Sequence, residues 1–281
     1  MEDRRLDRAH LEGYRAHLRR EDRAEATVEK YLRDAKAFAG WLGGRPATRE
    51  AAAEWREHLL AQGRAAVTVN AKLSAVNGLF RFLGWEDCRV KFLRVQRRLF
   101  RERSRELTRA EYLRLLEAAQ GAGNARLALL MESICATGIR VSEVRCLTVE
   151  AARAGQAVVR LKGKIRVILL PGKLCRKLLR FAGQQKTASG EIFLTKDGKS
   201  LCRRRIWRDM KALCKRAGVE DSKVFPHNLR HLFATSFYRV CRDIVKLADV
   251  LGHSSIETTR IYLQTSSAEH VRCLERLRLV C

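Results

Sequence analysis

Nowhere in these 281 residues does an apolar run approach the ~20 needed to cross a bilayer. The opening MEDRRLDRAH is charged throughout and offers no apolar signal segment. These two absences argue against a membrane partner. The nine cysteines are scattered, odd in number and never spaced C-x-x-C, so they read as reduced thilols of a cytoplasm rather than disulfides or zinc ligands. A P-loop is also missing: Gly198-Lys199-Ser200 ends like one, but Phe193 stands where its first glycine belongs. His227 and His231 have the i, i+4 spacing of a metalloprotease helix, yet Asn228 replaces the required glutamate and Arg230 puts a positive charge between the rings. No metal and no cofactor is expected. There are no internal repeats and no low-complexity segments.

The other shortage is of negative charge. Asp and Glu number 31 against 57 Lys and Arg, a formal charge of +26. An excess of that size points to a polyanion, with nucleic acid the expected partner. Hydrophobic residues make up 46% of the chain, enough to build a core in one large or two ordinary domains.

Periodicity divides the chain. Helices are predicted over residues 10–19, 27–42, 48–62 and 67–83, a compact bundle within a domain at 1–88. Residues 89–106 are dense in cations, among them Arg89, Lys91, Arg94, Arg97 and Arg98, and read as a basic linker that meets phosphates. A second domain is expected at 107–281. It begins with a helix capped by Thr108 and a buried helix at 126–137. Two strands follow, 157–161 and 166–170, joined as a hairpin through Lys162-Gly163-Lys164-Ile165. A short strand is expected at 191–195 and a basic helix at 203–218. Pro226 suits the first turn of a helix carrying His227 and Arg230 on one face. Another helix should run from Asp243 to Leu251, with Gly252 as its stop. Ser254-Ser255-Ile256-Glu257 then offers a capping box for a helix bearing Tyr262.

Each feature has an ordinary reading. His227 and Arg230 could be a surface pair, Tyr262 a core residue, Lys162 and Lys164 solvated tips, and Arg140 the partner of Glu143 in a structural ion pair. LADVLGHSSIETTRIYL also resembles a helix-turn-helix, which would make the chain a DNA-binding regulator. That reading leaves Arg140, the hairpin and HNLRH unexplained. It also needs an exposed last helix, where Ile256, Ile261 and Leu263 suggest partial burial.

Taken in order, ATGIRVSEV, a hairpin lysine, HNLRH and LGHSSIETTRIY resemble the tyrosine recombinase (phage integrase) family, in a Xer-like layout. The resemblance covers nearly the whole chain. It implies a mainly α fold: an N-terminal helical, SAM-like core-binding domain, then a mostly helical α+β catalytic domain with a small antiparallel sheet. It also implies a site-specific enzyme that cuts and rejoins DNA through a 3′-phosphotyrosyl intermediate. Tyr262 would be the nucleophile, Arg140 and Arg230 the phosphate clamp, His227 the base and His253 a phosphate ligand. Lys164, which lies 24 residues after Arg140, would be the general acid, with Lys162 as the alternative and Glu143 in support. Two departures stand out: the hairpin is short, and Leu232 stands where many relatives have threonine.

The family also implies a homotetramer on two double-stranded DNA sites, with an accessory protein as an option and a cytoplasmic, nucleoid-associated prokaryotic setting. The opening residues pass quickly into the core-binding pattern, so no arm-binding domain is expected. The tail at 266–281 would dock on a neighbouring subunit. Integration or excision of a mobile element is the expected role, with chromosome-dimer resolution or DNA inversion as alternatives of the same chemistry. A type IB topoisomerase would share that chemistry without site preference.

Overall fold

The computed structural model describes residues 4–95, 105–161, 164–253, 255–262, 271–272 and 275–277. The chain falls into two compact units, 1–97 and 98–281. The first is a helical bundle of α1 (Arg8–Arg20), α2 (Glu25–Leu42), α3 (Arg49–Ala61) and α4 (Ala66–Phe82). Side chains set two of the starts. Asp7 accepts the His10 N–H to open α1, and Thr48 accepts the Ala51 N–H to open α3. The bundle closes on aromatic rings. Phe38 lies 5.1 Å from Trp55 and meets Phe80 edge-on at 5.8 Å, all three buried. Beyond α4 a short 3-10 turn, Glu86–Cys88, leads into an extended segment that ends the described part of this unit.

The second unit opens with α5 (Arg109–Gly121), capped by Thr108 as expected, with Glu111 closing a reciprocal capping box. Next comes α6 (Ala125–Thr137), buried almost all round and packed against other helices of this unit. A 3-10 turn, Val141–Cys146, and α7 (Val149–Ala154) lead to the hairpin of β1 (Gln156–Leu161) and β2 (Lys164–Leu169). The strands are antiparallel, with Leu161 paired to Lys164, so only Lys162 and Gly163 connect them. The connection is two residues rather than the four expected, because Lys164 and Ile165 have joined the ladder.

The chain continues through α8 (Gly172–Gln184), α9 (Arg203–Lys211) and α10 (Cys214–Ala217). Two expectations change here. Residues 191–195 contribute only isolated bridges, Thr148 to Glu191 and Leu194 to Ser200. The basic helix stops at Lys211 and restarts at Cys214. Last come α11 (Pro226–Cys241), α12 (Ile244–Leu251) and α13 (Ile256–Arg260). Pro226 takes the first turn of α11, and Asp243 caps α12 through the Val245 and Lys246 N–H groups. The last helix is shorter than its pattern suggests: α13 ends at Arg260, so Tyr262 lies just past it. No helix among the described residues is long and apolar enough to cross a membrane. The architecture is thus mainly α with one small antiparallel sheet.

Candidate active site

Two helices end at the same place. Gly138 closes α6 and Gly252 closes α12, both in the left-handed conformation at φ +63° and +62°. A side chain at Gly138 would run into the Phe233 ring, and one at Gly252 into Arg166. These ends leave carbonyls unpaired within their helices and carry the negative pole of the helix dipole. Three guanidinium groups use them. Arg230 donates to the Gly138 carbonyl and, at 2.8 Å, to the Leu251 carbonyl. Arg166 also donates to the Leu251 carbonyl, and Arg140 reaches the Gly252 carbonyl at 3.4 Å.

One buried carboxylate ties two of the arginines together. Glu143 accepts from Arg140 Nη1 at 2.9 Å and from Arg166 Nη2 at 3.0 Å, and its second oxygen also accepts the Arg140 backbone N–H at 2.9 Å. Glu143 is 4% exposed, so this is an interior ion pair on the Arg166 side. The remaining balance is positive. Burial pushes the Arg166 pKa down to about 10, against the pull of Glu143, with Arg230 and Arg140 adding to the fall. Burial also lowers Arg230, which is 3% exposed, and Arg140 lowers it further. Like charges held together in a part-dry site are poised for an anion.

Against this cluster lie three imidazoles and one phenol. Tyr262 is buried, and its ring stacks on His253 at 5.8 Å and 12°. His231 stands 5.2 Å from the same ring and His227 6.2 Å. Tyr262 also contributes to holding the charge of Arg230. The tautomer of His253 follows from its neighbours. Arginine only donates, so Nε2 accepts from Arg230 Nη2 at 3.0 Å. The ring proton then sits on Nδ1 and is donated to Thr259 Oγ1 at 2.9 Å. Burial, then Arg230, Arg140, Arg166 and His227, push the His253 pKa down to about 4, so the ring is neutral. His231 Nε2 lies 3.4 Å from Glu106 Oε1, and Asn228 anchors the start of α11 to the Arg105 and Lys223 carbonyls. The cleft above, about 410 Å³, is lined by Arg140, Ser142, Trp207, His227, Arg230, His253 and Tyr262 among others.

Arg140, Glu143, His227, Arg230, His253 and Tyr262 therefore meet in one place. Lys164 is the first residue of β2, and its side chain lies outside the described atoms; Lys162 lies outside the described residues. Of the basic segment, Arg89 is paired with Glu86, while Lys91 and Arg94 are exposed; Arg97 and Arg98 lie outside the described residues. Within the tail, Val271 and Leu277 are half exposed, and Leu274 and Val280 lie outside the described residues. Sequence reasoning missed Arg166 and Thr259. The one signal for Arg166 was an arginine in phase with Ile168 on a strand, masked by the apolar residues around it.

A mostly helical unit thus gathers the half-exposed Arg140, the buried Arg230, a neutral imidazole and a buried tyrosine at converging helix ends, an arrangement suited to holding a phosphate. Comparison with known proteins agrees. Residues 105–269 match the phage integrase family, and residues 11–87 match the phage integrase N-terminal SAM-like domain. The chain belongs to the phage integrase family of tyrosine recombinases, enzymes that cleave and religate DNA. It is 28% identical to the tyrosine recombinase XerA of Thermococcus kodakarensis, across 96% of this chain and 95% of that protein. It is also 28% identical to the tyrosine recombinase XerD of Halalkalibacterium halodurans, across 84% and 86%. Among solved structures, the Tn1549 transposon integrase in complex with transposon right end DNA shares the fold. Its TM-score is 0.72 at 17% identity, covering 96% of this chain and 99% of that one. A lambda integrase dimer bound to a core site aligns at TM-score 0.74 and 19% identity, covering 90% and 94%.

Proposed function

We propose that this chain is a site-specific recombinase acting on double-stranded DNA, with Tyr262 as its nucleophile. The observation that carries the reading is the placement of Tyr262, stacked on His253 and beside Arg230 in the cleft that Arg140 also lines. In the proposed step the Tyr262 oxygen attacks a backbone phosphorus and the bond to the 5′ oxygen breaks. The tyrosine keeps the 3′ phosphate and the other end leaves as a 5′-hydroxyl. Attack by a 5′-hydroxyl reverses the exchange, and because the ester conserves the bond, rejoining draws on no nucleotide triphosphate.

The charge on the non-bridging oxygens is where the protein acts. Arg140 and Arg230 present forks to it, held in place beforehand by Glu143 and the two helix ends. His227, exposed on the first turn of α11, is the base proposed for the phenol. In the free protein His253 Nε2 accepts from Arg230 and the ring proton is on Nδ1, so a role as phosphate donor requires that bond to yield and Nε2 to take a proton when the phosphate takes over the guanidinium. Lys164 is the preferred general acid. Its backbone stands on β2 two residues before Arg166, whose side chain reaches Glu143.

Work as a tetramer on two sites, and a role in integration or excision of a mobile element, belong to the same proposal. The likeness in fold to a transposon integrase supports that role. Nicked suicide duplexes built from the DNA flanking the gene test the chemistry. Wild type should leave a denaturation-resistant protein–DNA adduct, and Tyr262→Phe should leave none while still binding. An adduct of equal yield with Tyr262→Phe would move the nucleophile elsewhere. Resolution or inversion in place of integration would show in which pairs of sites recombine.

A further inference from the structure

Two asparagines on α4 hold the start of the basic segment. Asn70 Nδ2 donates to the Leu93 carbonyl at 2.9 Å, and its oxygen accepts the Leu93 N–H at 2.8 Å. Asn77 does the same for Val90, at 2.9 and 3.1 Å. Each amide therefore satisfies both backbone groups of one residue, as a neighbouring strand would. The spacing fits. Seven helical residues advance about 10.5 Å, and three extended residues advance about 10 Å. Residues 90–93 thus lie along α4 as a strap running in the opposite direction. Val90 is buried and Leu93 packs on the core of the first unit.

The other residues of the strap face out. Phe92 is 52% exposed and Val95 45%, and Lys91 and Arg94 are exposed with no ion pair among the described residues. Arg89, by contrast, is tied to Glu86. A strap fixed in register presents its cations without being ordered at the moment of binding, and ordering is the main cost a flexible basic linker pays.

We propose that Asn70 and Asn77 are positioning residues for DNA binding: they lock residues 90–93 onto α4, so that Lys91 and Arg94 meet backbone phosphates as a fixed ledge of the first unit. This rests on the reading that double-stranded DNA is the substrate.

The test uses the full chain carrying Tyr262→Phe and a fluorescein-labelled duplex of unrelated sequence. Affinity is measured by anisotropy across a series of sodium chloride concentrations. Losing two phosphate contacts should make the slope of log K against log salt shallower by about 1.8. Lys91→Ala with Arg94→Ala should produce that change when Asn70 and Asn77 are intact. In a chain also carrying Asn70→Ala and Asn77→Ala, the same pair should change the slope by less than half as much, because the cations are no longer placed. A full change in both backgrounds overturns the positioning role, and no change in either overturns the ledge. Salt-sensitive binding indifferent to the strap sinks this proposal alone; no salt-sensitive binding at all sinks the DNA reading and this proposal with it. Should the double asparagine variant fail to fold, Leu93→Pro removes the N–H that Asn70 accepts from the strap side and leaves α4 intact.

Discussion

Replacing Glu143 with glutamine keeps the shape of the side chain and removes its charge, so it isolates the electrostatic role of one buried carboxylate. Glu143 is 4% exposed and faces Arg166 in a site that is nearly dry on that side, where the Arg166 side chain is 12% exposed. Breaking such a pair by removing one partner costs about 3–5 kcal/mol, because the other charge stays buried. The Arg140 arm, with that side chain 36% exposed, adds under about 1 kcal/mol. The glutamine oxygen can still accept one bond, so the lower end applies, about 3 kcal/mol. For a unit of this size that lowers Tm by roughly 6–12 °C. Calorimetry of the catalytic unit's transition measures it. Sodium sulfate should recover part of the loss in the variant, since an anion can replace the missing charge and stabilises by mass action. A fall of less than about 1 kcal/mol, or no extra response to sulfate, would refute the view that Glu143 offsets the arginine cluster.

Three further outcomes follow from the same geometry. His253 is held neutral with a pKa near 4, so the folded protein refuses a proton that the unfolded chain takes up. Stability is therefore fully present above the unfolded value of about 6.5 and is lost as pH falls from there towards the folded pKa; His253→Gln should flatten that part of a denaturant-against-pH series. Gly138→Ala puts a side chain into the Phe233 ring at a left-handed φ, and urea unfolding should show a loss of about 2–5 kcal/mol. Arg140→Lys keeps the charge but cannot span Glu143 and Gly252 at once, so adduct formation should slow about 100-fold or more while duplex affinity changes little.

The legible parts of this molecule are the ones that local rules control. Thr108 with Glu111, Pro226, Asp243 and Gly252 mark helix ends by chemistry that acts within a few residues, and each end lies where it was expected. The faces of the hairpin were not legible in the sequence. Ile165 at 68% exposure and Leu169 at 74% look outward, while Arg166 turns in to Glu143. A period-two pattern says which residues share a face but not which face is covered. Here the covered face buries Ala157, Val159 and Ile168 and also admits Arg166 to its ion pair, while an equally apolar row looks outward. The last helix also ended early. Its cap is Ser255, which accepts the Glu257 N–H, one residue later than a Ser254-to-Glu257 box would place it, and Tyr262 settles beyond the helix, where it stacks on His253 and meets His231 at a tilt.

The sequence alone determined the mainly helical build, the basic character that calls for a polyanion, and the order of the boxes that bear Arg140, His227, Arg230, His253 and Tyr262. Only the tertiary structure decided that Arg230 bridges the ends of α6 and α12 while Arg166 and Arg140 join it at the α12 end, that Glu143 serves two of these guanidinium groups, and that His253 carries its proton on Nδ1. It also decided that the basic segment starts as a strap on α4. The physical reason is range. Capping and periodicity act across a few residues, whereas desolvation and charge pairing depend on what the chain brings together from far apart: Glu143 and Arg166 are 23 positions apart, and Arg140 and Gly252 are 112.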